Sequence, residues 1–324
     1  MIDIYGTLGP ACADRKILRE MLSLGMTGMR LNLSHETLVS AAPRLQHLRD
    51  AERMTGIASK LLVDLQGPEL RVADLPVPVV LEEGRTVRIP EDVPIPSIAL
   101  DSIEIGQEIL LDDGKLQLSA VEPGRAVVKR GGVLHSRKSI ALPGVELNTP
   151  ALTQEDLENI SCFAEYGVTG VMQPFVRGGE DLRCLRNVLT DAGCGSLRIY
   201  AKIENQCGMD RLAEILPEAD EIVIARGDLG NAVPLWELPA AQKKIAAGCI
   251  KEGKPFMIVT QMLASMERSS VPTRAEISDI FNAILDGASS VMLTGETAVG
   301  DYPTEAVRYL SATVKAAEQY KAEP

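Results

Sequence analysis

Ala201-Lys202-Ile203-Glu204-Asn205 and, one strand later, Arg226-Gly227-Asp228-Leu229-Gly230 bring together a lysine, an arginine, an asparagine, two acidic side chains and two glycines. In an extended segment, residues two apart face the same way, so Lys202 and Glu204 share one wall. The plain reading of such a pair is a buried salt bridge between layers of a core. Burying an ion pair is costly, so a working role for the two is the better reading. Glycines beside Asp228 let backbone N–H groups approach an anion, and the Asp228 carboxylate can ligate a hard cation. Glu204 and Asp228 together suit magnesium, which dehydrates reluctantly and takes one or two carboxylates plus water and substrate oxygens. Glycine-rich turns follow strands in many α/β proteins, so the second string becomes specific only beside Lys202 and Glu204.

Residues this far apart need a scaffold to meet. Short apolar runs predict strands at 4–8, 28–32, 61–64, 169–173, 198–203, 221–225, 255–260 and 289–293. Amphipathic stretches predict helices near 14–24, 36–52, 153–166, 179–192, 207–216, 239–252, 273–286 and 303–320, several opened by capping residues such as Thr153 and Thr273. Eight alternations predict a (β/α)8 barrel, assigned to residues 1–71 and 139–324. The interval 72–138, with short alternating runs punctuated by Gly and Pro, predicts a small β-rich domain inserted after the third strand. The length of 324 residues fits a barrel of about 250 plus one insertion. In such a barrel, side chains at the carboxyl ends of the strands converge on one mouth. Seven of the eight strands end in polar residues: Arg30, Asn32 and Ser34; Asp64; Gln173; Lys202 and Glu204; Arg226 and Asp228; Thr260 and Gln261; Thr294 and Glu296. Asp64 or Thr294 alone could simply cap a loop, but the set points to a site.

Composition narrows the partners. A formal net charge of −12, with no basic run to offset it, excludes nucleic acid and acidic membrane surfaces as partners, so an anionic substrate needs a local positive pocket. Hydrophobic residues make up 45% of the chain while Phe and Trp are scarce, which implies a largely aliphatic core. Cysteines 12, 162, 184, 194, 207 and 249 form no Cys-x-x-Cys pair, which argues against zinc or a disulfide framework and for buried reduced thiols. Neither a leader nor an apolar run long enough to span a bilayer is present, so a soluble cytoplasmic protein is expected.

Ordered motifs along nearly the whole chain resemble the pyruvate kinase family. They are Thr7-Leu8-Gly9-Pro10, Gly25-Met26 leading to Arg30-Leu31-Asn32-Leu33-Ser34-His35, Gly67-Pro68-Glu69-Leu70-Arg71 and Asp112-Asp113-Gly114. Downstream follow Leu142-Pro143-Gly144, 201–205, 225–230, Thr260-Gln261-Met262-Leu263, Pro272-Thr273-Arg274-Ala275-Glu276 and Gly295-Glu296-Thr297-Ala298 with Tyr302-Pro303. The resemblance implies a glycolytic transfer of the phosphoryl group of phosphoenolpyruvate to ADP or another nucleoside diphosphate. It implies Mg2+ (or Mn2+) and K+ as cofactors, and leaves self-association through the barrel domain open. By position, Lys202 lies beside the migrating phosphoryl and the developing enolate, and Arg30 holds the phosphate. Glu204 and Asp228 hold magnesium. Gly227 and Asp228 backbone N–H groups, with Thr260, bind the substrate carboxylate, and Thr294 stands where a hydroxyl–water chain delivers a proton. Asn32, Ser34 and Asp64, with the Leu65 carbonyl, resemble the potassium ligands, and Glu69 marks relatives that need that ion. Pro10, His35 and Arg71 flank the nucleotide, while Asp113 and Lys138 of the inserted domain meet its phosphates and metal when the lid closes.

Four departures from the family pattern stand out. Leu65-Gln66 replaces Thr-Lys, Pro174 replaces a serine, and Glu36 replaces the glycine after His35, placing a carboxylate where nucleotide phosphates are expected. The chain also lacks the C-terminal domain that carries effector sites in most relatives, so effector regulation is not expected. A weakened homologue acting as a binding or regulatory module, or a phosphotransferase with another enolpyruvate-like acid or acceptor, remains the alternative.

Overall fold

The computed structural model describes residues 2–34, 36–145, 147 and 149–322. Eight parallel strands close into a barrel, numbered here along the barrel alone: β1 (Asp3–Thr7), β2 (Gly28–Asn32), β3 (Lys60–Asp64), β4 (Gly170–Gln173), β5 (Arg198–Ile203), β6 (Glu221–Ala225), β7 (Phe256–Val259) and β8 (Ser290–Met292). Each matches its expected position to within one residue at either end. Neighbours around the ring run β1-β8-β7-β6-β5-β4-β3-β2, and β2 registers on β3 with Asn32 opposite Asp64.

The two-residue period of the strands sorts their side chains. Tyr5, Leu62, Met172, Tyr200, Val223, Ala225, Met257, Val259 and Met292 fill the barrel interior, whereas the intervening Leu61, Val63, Ile199, Ala201, Ile222, Ile224 and Ile258 pack against the helices. The two tyrosine rings fit only because glycine faces each of them. A Cβ on Gly28 would lie 2.4 Å from the Tyr5 ring, and one on Gly170 would lie 2.7 Å from the Tyr200 ring. Extending the same inward face one step past the apolar layer delivers Thr7, Arg30, Asp64 and Lys202 to the carboxyl-terminal mouth. The covering helices start at capping boxes where the sequence anticipated them, Thr153 with Asp156 and Thr273 with Glu276. The expected helix at 153–166 breaks at Cys162 into Gln154–Ser161 and Phe163–Tyr166. Short helices at Arg226–Ala232 and Gly295–Ala298 were not anticipated, because their glycines mask the helical period.

Between β3 and β4 the chain builds an antiparallel five-stranded sheet from Thr86–Arg88, Glu108–Leu111, Leu116–Glu122, Arg125–Arg130 and Ile140–Ala141, plus the pair Val79–Leu81 and Gly132–Leu134. It has a core of its own, including Val93, Ile109, Leu118 and Val128. Its turn Asp112-Asp113-Gly114 takes positive φ at all three residues and rests on the barrel, where a Cβ on Gly114 would stand 2.9 Å from Asn231 Oδ1. The inserted unit therefore covers the mouth. Among the described residues no helix is long and apolar enough to cross a membrane. Burial of the thiols holds for Cys12, Cys194 and Cys249, whereas Cys184 is exposed. Exposure follows from its place on the outer face of the helix Gly179–Asp191, whose buried face is lined by Leu182, Leu185 and Leu189.

At the opposite, amino-terminal end of the barrel, Glu221 is buried and accepts hydrogen bonds from Ser290 Oγ at 2.5 Å, Ser289 Oγ at 3.1 Å and Arg198 Nη2 at 3.3 Å. Burial pushes its carboxyl pKa up, and the Ser290 hydroxyl and Arg198 only partly offset this. A carboxyl whose pKa rises on folding contributes stability below its unfolded pKa and loses it as pH rises through the folded one. Glu221→Gln, which keeps the shape and removes the charge, should therefore raise the melting temperature by about 1–2 °C at pH 8 and leave it unchanged at pH 4. Thermal melts of both proteins across that range check the sign.

Candidate active site

Asp64, at the end of β3 and almost wholly buried, binds two cations, one from adjoining β2 and one from β5, two strands away. Its Oδ2 accepts Arg30 Nε at 2.8 Å and Nη2 at 2.6 Å, while Lys202 Nζ lies 3.1 Å from Oδ2 and 3.3 Å from Oδ1. Lys202 Nζ also pairs with Glu204 Oε1 at 3.0 Å. Glu204 Oε2 accepts the Phe175 N–H at 2.9 Å, and Arg30 Nη1 donates to Thr7 Oγ1 at 3.3 Å. The ion pair that the plain reading foresaw is thus present, and its lysine also lines a cavity, while Glu204 borders an adjoining one. Burial alone would favour the neutral amine, but Asp64 and Glu204 hold the Lys202 ammonium charged and push its pKa up.

A cavity of about 310 Å³ lies between mouth and lid. Arg30, Asn32, Ser34, Asp64, Leu65, Lys202 and Asp228 line it from the barrel, and Arg71, Asp113 and Lys138 close it from the other side. Lys138 pairs with Asp112 at 2.8 Å and Arg71 Nη2 with Glu69 at 2.7 Å. Burial pushes the Glu69 carboxyl up, with Arg71 and Lys202 opposing. Pro10, Gly227, Thr260 and Thr294 do not line this cavity. Gly227 and Thr260 nevertheless meet, the Gly227 N–H donating to Thr260 Oγ1 at 2.9 Å. Thr260 holds φ at 73°, a strained value for a β-branched residue and the kind that clusters at working sites. Thr294 is held by Glu296 Oε2, which accepts its N–H at 2.7 Å. His35 lies outside the described residues.

Two side chains counted among the mouth residues have structural work instead, and a third, Gln173, faces away from the mouth. Arg226 Nη1 pairs with Asp279 at 2.6 Å and its guanidinium donates to the Thr260 carbonyl. Glu296 is buried and ties the loops after β7 and β8 by accepting the Leu263 and Thr294 N–H groups. Gln173 is buried, and strand alternation sets it with Val171 on the helix side.

Glu204 and Asp228 fit a divalent cation. Burial pushes Glu204 up to about 7, with Lys202 opposing and Asp228 reinforcing. Burial likewise pushes Asp228 up to about 6, with Lys202 opposing and Glu69 and lid Asp113 reinforcing. Two buried carboxyls competing for one proton are a donor set that a cation satisfies. Among the described residues no group of three or more His, Cys, Asp or Glu is arranged for a metal, so an ion there depends on water and substrate oxygens, as magnesium does.

Residues 1–307 match the family model described as pyruvate kinase, barrel domain. The pyruvate kinase of Geobacillus stearothermophilus is 38% identical over 333 residues, an alignment covering 98% of this chain and 57% of that protein. That of Aeropyrum pernix is 39% identical over 318 residues, covering 96% of this chain and 69% of that protein. The chain belongs to the pyruvate kinase family. It spans little more than half the length of relatives such as the Geobacillus protein and that of Staphylococcus haemolyticus, of which it covers 58%.

Within a pyruvate kinase barrel the departures now have physical settings. The Leu65 side chain is buried in the layer between strands and helices, and Gln66 lines the cavity. The Pro174 ring lies against Gly67, where a Cβ would come within 2.4 Å of Pro174 Cγ. Glu36 does not present a bare carboxylate, because Arg44 pairs with it. Sequence reasoning missed Thr7, whose hydroxyl accepts from Arg30, although its place two residues after inward Tyr5 could have revealed it. It also missed Ser139, whose Oγ donates to Asp113 Oδ1 at 2.8 Å and accepts the Asp113 N–H at 2.9 Å. No local signal marks that contact, which spans the lid.

Because a proton competes with the metal for the Glu204–Asp228 pair, magnesium should bind more weakly as pH falls from 8 to 6. The magnesium concentration that half-saturates its melting-temperature shift should rise severalfold over that range. Glu204→Gln and Asp228→Asn should each raise it at pH 8, and unchanged titrations in both variants would place the ion elsewhere.

Proposed function

We propose that this chain transfers the phosphoryl group of phosphoenolpyruvate to ADP or another nucleoside diphosphate, giving pyruvate and the triphosphate, as a cytoplasmic glycolytic enzyme. The observation that carries the reading is Lys202, kept charged between Asp64 and Glu204 at the floor of a cavity it shares with Arg30 and Asp228. In the transfer, the bond between phosphorus and the enol oxygen breaks as a nucleotide phosphate oxygen bonds to phosphorus. The enolate left behind takes a proton on its methylene carbon. Arg30 and Lys202 bind the phosphoryl oxygens, and Lys202 offsets the charge growing on the enolate oxygen. The Gly227 and Asp228 N–H groups and the Thr260 hydroxyl receive the substrate carboxylate, which replaces Thr260 Oγ1 as the acceptor for Gly227. Thr294, fixed by Glu296, relays the proton through water. A divalent ion held by Glu204 and Asp228 would supply neutralising charge to the anionic substrate. Asn32, Ser34, Asp64 and the Leu65 carbonyl would seat potassium. Arg71, Asp113 and Lys138 flank the nucleotide under the lid, which keeps water from the transferring group.

Pyruvate release from phosphoenolpyruvate and ADP tests the reading, run with potassium and with tetramethylammonium at constant ionic strength. Turnover is expected to need magnesium and to fall severalfold without potassium. Lys202→Met, which keeps most of the volume, should lower kcat by about 10²-fold or more at an unchanged melting profile. Near-parental turnover in that variant would show that the phosphoryl group does not pass by Lys202.

A further inference from the structure

The chain just past Asp64 is held through its backbone by a buried carboxylate from another element. Gln66 N–H donates to Asp156 Oδ1 at 2.8 Å and Gly67 N–H to Asp156 Oδ2 at 3.0 Å, across ninety residues of sequence. Asp156 is wholly buried at the start of the helix Gln154–Ser161, where the same Oδ2 accepts the Thr153 N–H at 2.9 Å. In a trans peptide the C=O points opposite to the N–H. Pinning the Gln66 N–H outward to Asp156 therefore turns the Leu65 carbonyl the other way, away from the helix layer. The lining agrees: Leu65 borders the active-site cavity although its side chain is buried among the helix-facing residues, so its backbone is what faces the cavity. Among the described residues the Leu65 carbonyl receives no hydrogen bond, and the residue is 1% exposed, which leaves a buried acceptor in want of a partner. Asp64, Asn32 and Ser34 line the same cavity.

We propose that Asp156 is a positioning residue that acts through the 65–67 loop, aiming the Leu65 carbonyl at a monovalent cation beside Asp64. This rests on the potassium seat of the proposed function. In this chain the role falls to the backbone and its buried clamp, because Leu65 and Gln66 bring neither a hydroxyl nor a positive charge to the spot. Asp156 touches neither substrate nor ion, and its effect is read in cation affinity more than in the chemical step.

The test follows both the melting temperature and the rate of pyruvate release while potassium replaces tetramethylammonium at constant ionic strength. It uses the full chain and the variants Asp156→Asn, Asp156→Glu and Thr153→Ala. Asp156→Asn sets an amide N–H against a backbone N–H, and is expected to raise the potassium midpoint about tenfold in both readouts. Asp156→Glu keeps the charge and a normal capping box, so the helix start survives while the grip on the loop shifts; it should raise the midpoint too, and decides the matter if the Asn variant fails to fold. Thr153→Ala weakens the same helix start without touching the loop, and should lower the melting temperature at a parental potassium midpoint. A potassium-responsive parent whose two Asp156 variants keep the parental midpoint overturns the role of Asp156 alone. Equal midpoint shifts in Thr153→Ala and Asp156→Glu overturn it as well, by reducing the effect to helix stability. A parent with no potassium response in either readout overturns the seat itself, and this role with it.

Discussion

Asp64 is the one carboxylate that both Arg30 and Lys202 require. Two cations brought from β2 and β5 to one buried spot repel each other, and Asp64 is the carboxylate that both of them meet. With both oxygens engaged, Asp64 fixes the two head groups and keeps Lys202 charged while Glu204 takes its remaining side. Such a buried network adds little net stability, because desolvation cancels most of the attraction. What it supplies is geometry, with preset positive charge facing a place where negative charge can accumulate.

The barrel makes the arrangement possible through a simple rule. Glycine at 28 and 170 admits the rings of Tyr5 and Tyr200, and the aliphatic layer above them closes the interior. Every inward side chain past that layer must then emerge at the mouth. Strain and buried clamps finish the work that the strands begin: Thr260 at a positive φ, Glu296 between two loops, and Asp156 beneath the 65–67 loop. The lid adds its own acidic turn, and Asp113 reaches far enough to influence Asp228. Mouth and lid are electrostatically one site, rich in carboxylates that only cations can reconcile with an anionic substrate.

The barrel itself was legible in the sequence because its signal is periodic. Eight apolar runs, each followed by an amphipathic stretch and several of those capped, admit few other folds, and the strand alternation that paired Lys202 with Glu204 holds in three dimensions. Polarity at a strand end was a weaker guide. Arg226 and Glu296 share the composition of site residues but tie loops and helices together, while Gln173 sits one residue out of phase with inward Met172 and so faces the outer layer. Contacts between distant segments left no trace in the sequence. The Thr153–Asp156 capping box could be read locally, whereas the second duty of Asp156 toward Gln66 and Gly67 could not. The compensation of Glu36 by Arg44 was not anticipated either, because Glu36 stands before the N-cap Thr37 and eight residues from its partner, outside the three- and four-residue spacing of helical pairs.

A crystal structure of the protein with phosphoenolpyruvate, magnesium and potassium, without nucleotide, would test the central claim most directly. The account predicts phosphate oxygens within hydrogen-bond reach of both Arg30 and Lys202 Nζ, Asp64 still bridging the two cations, and magnesium between Glu204 and Asp228. Substrate phosphate bound away from the Arg30–Lys202 pair, with Asp64 unchanged beneath it, would contradict the account.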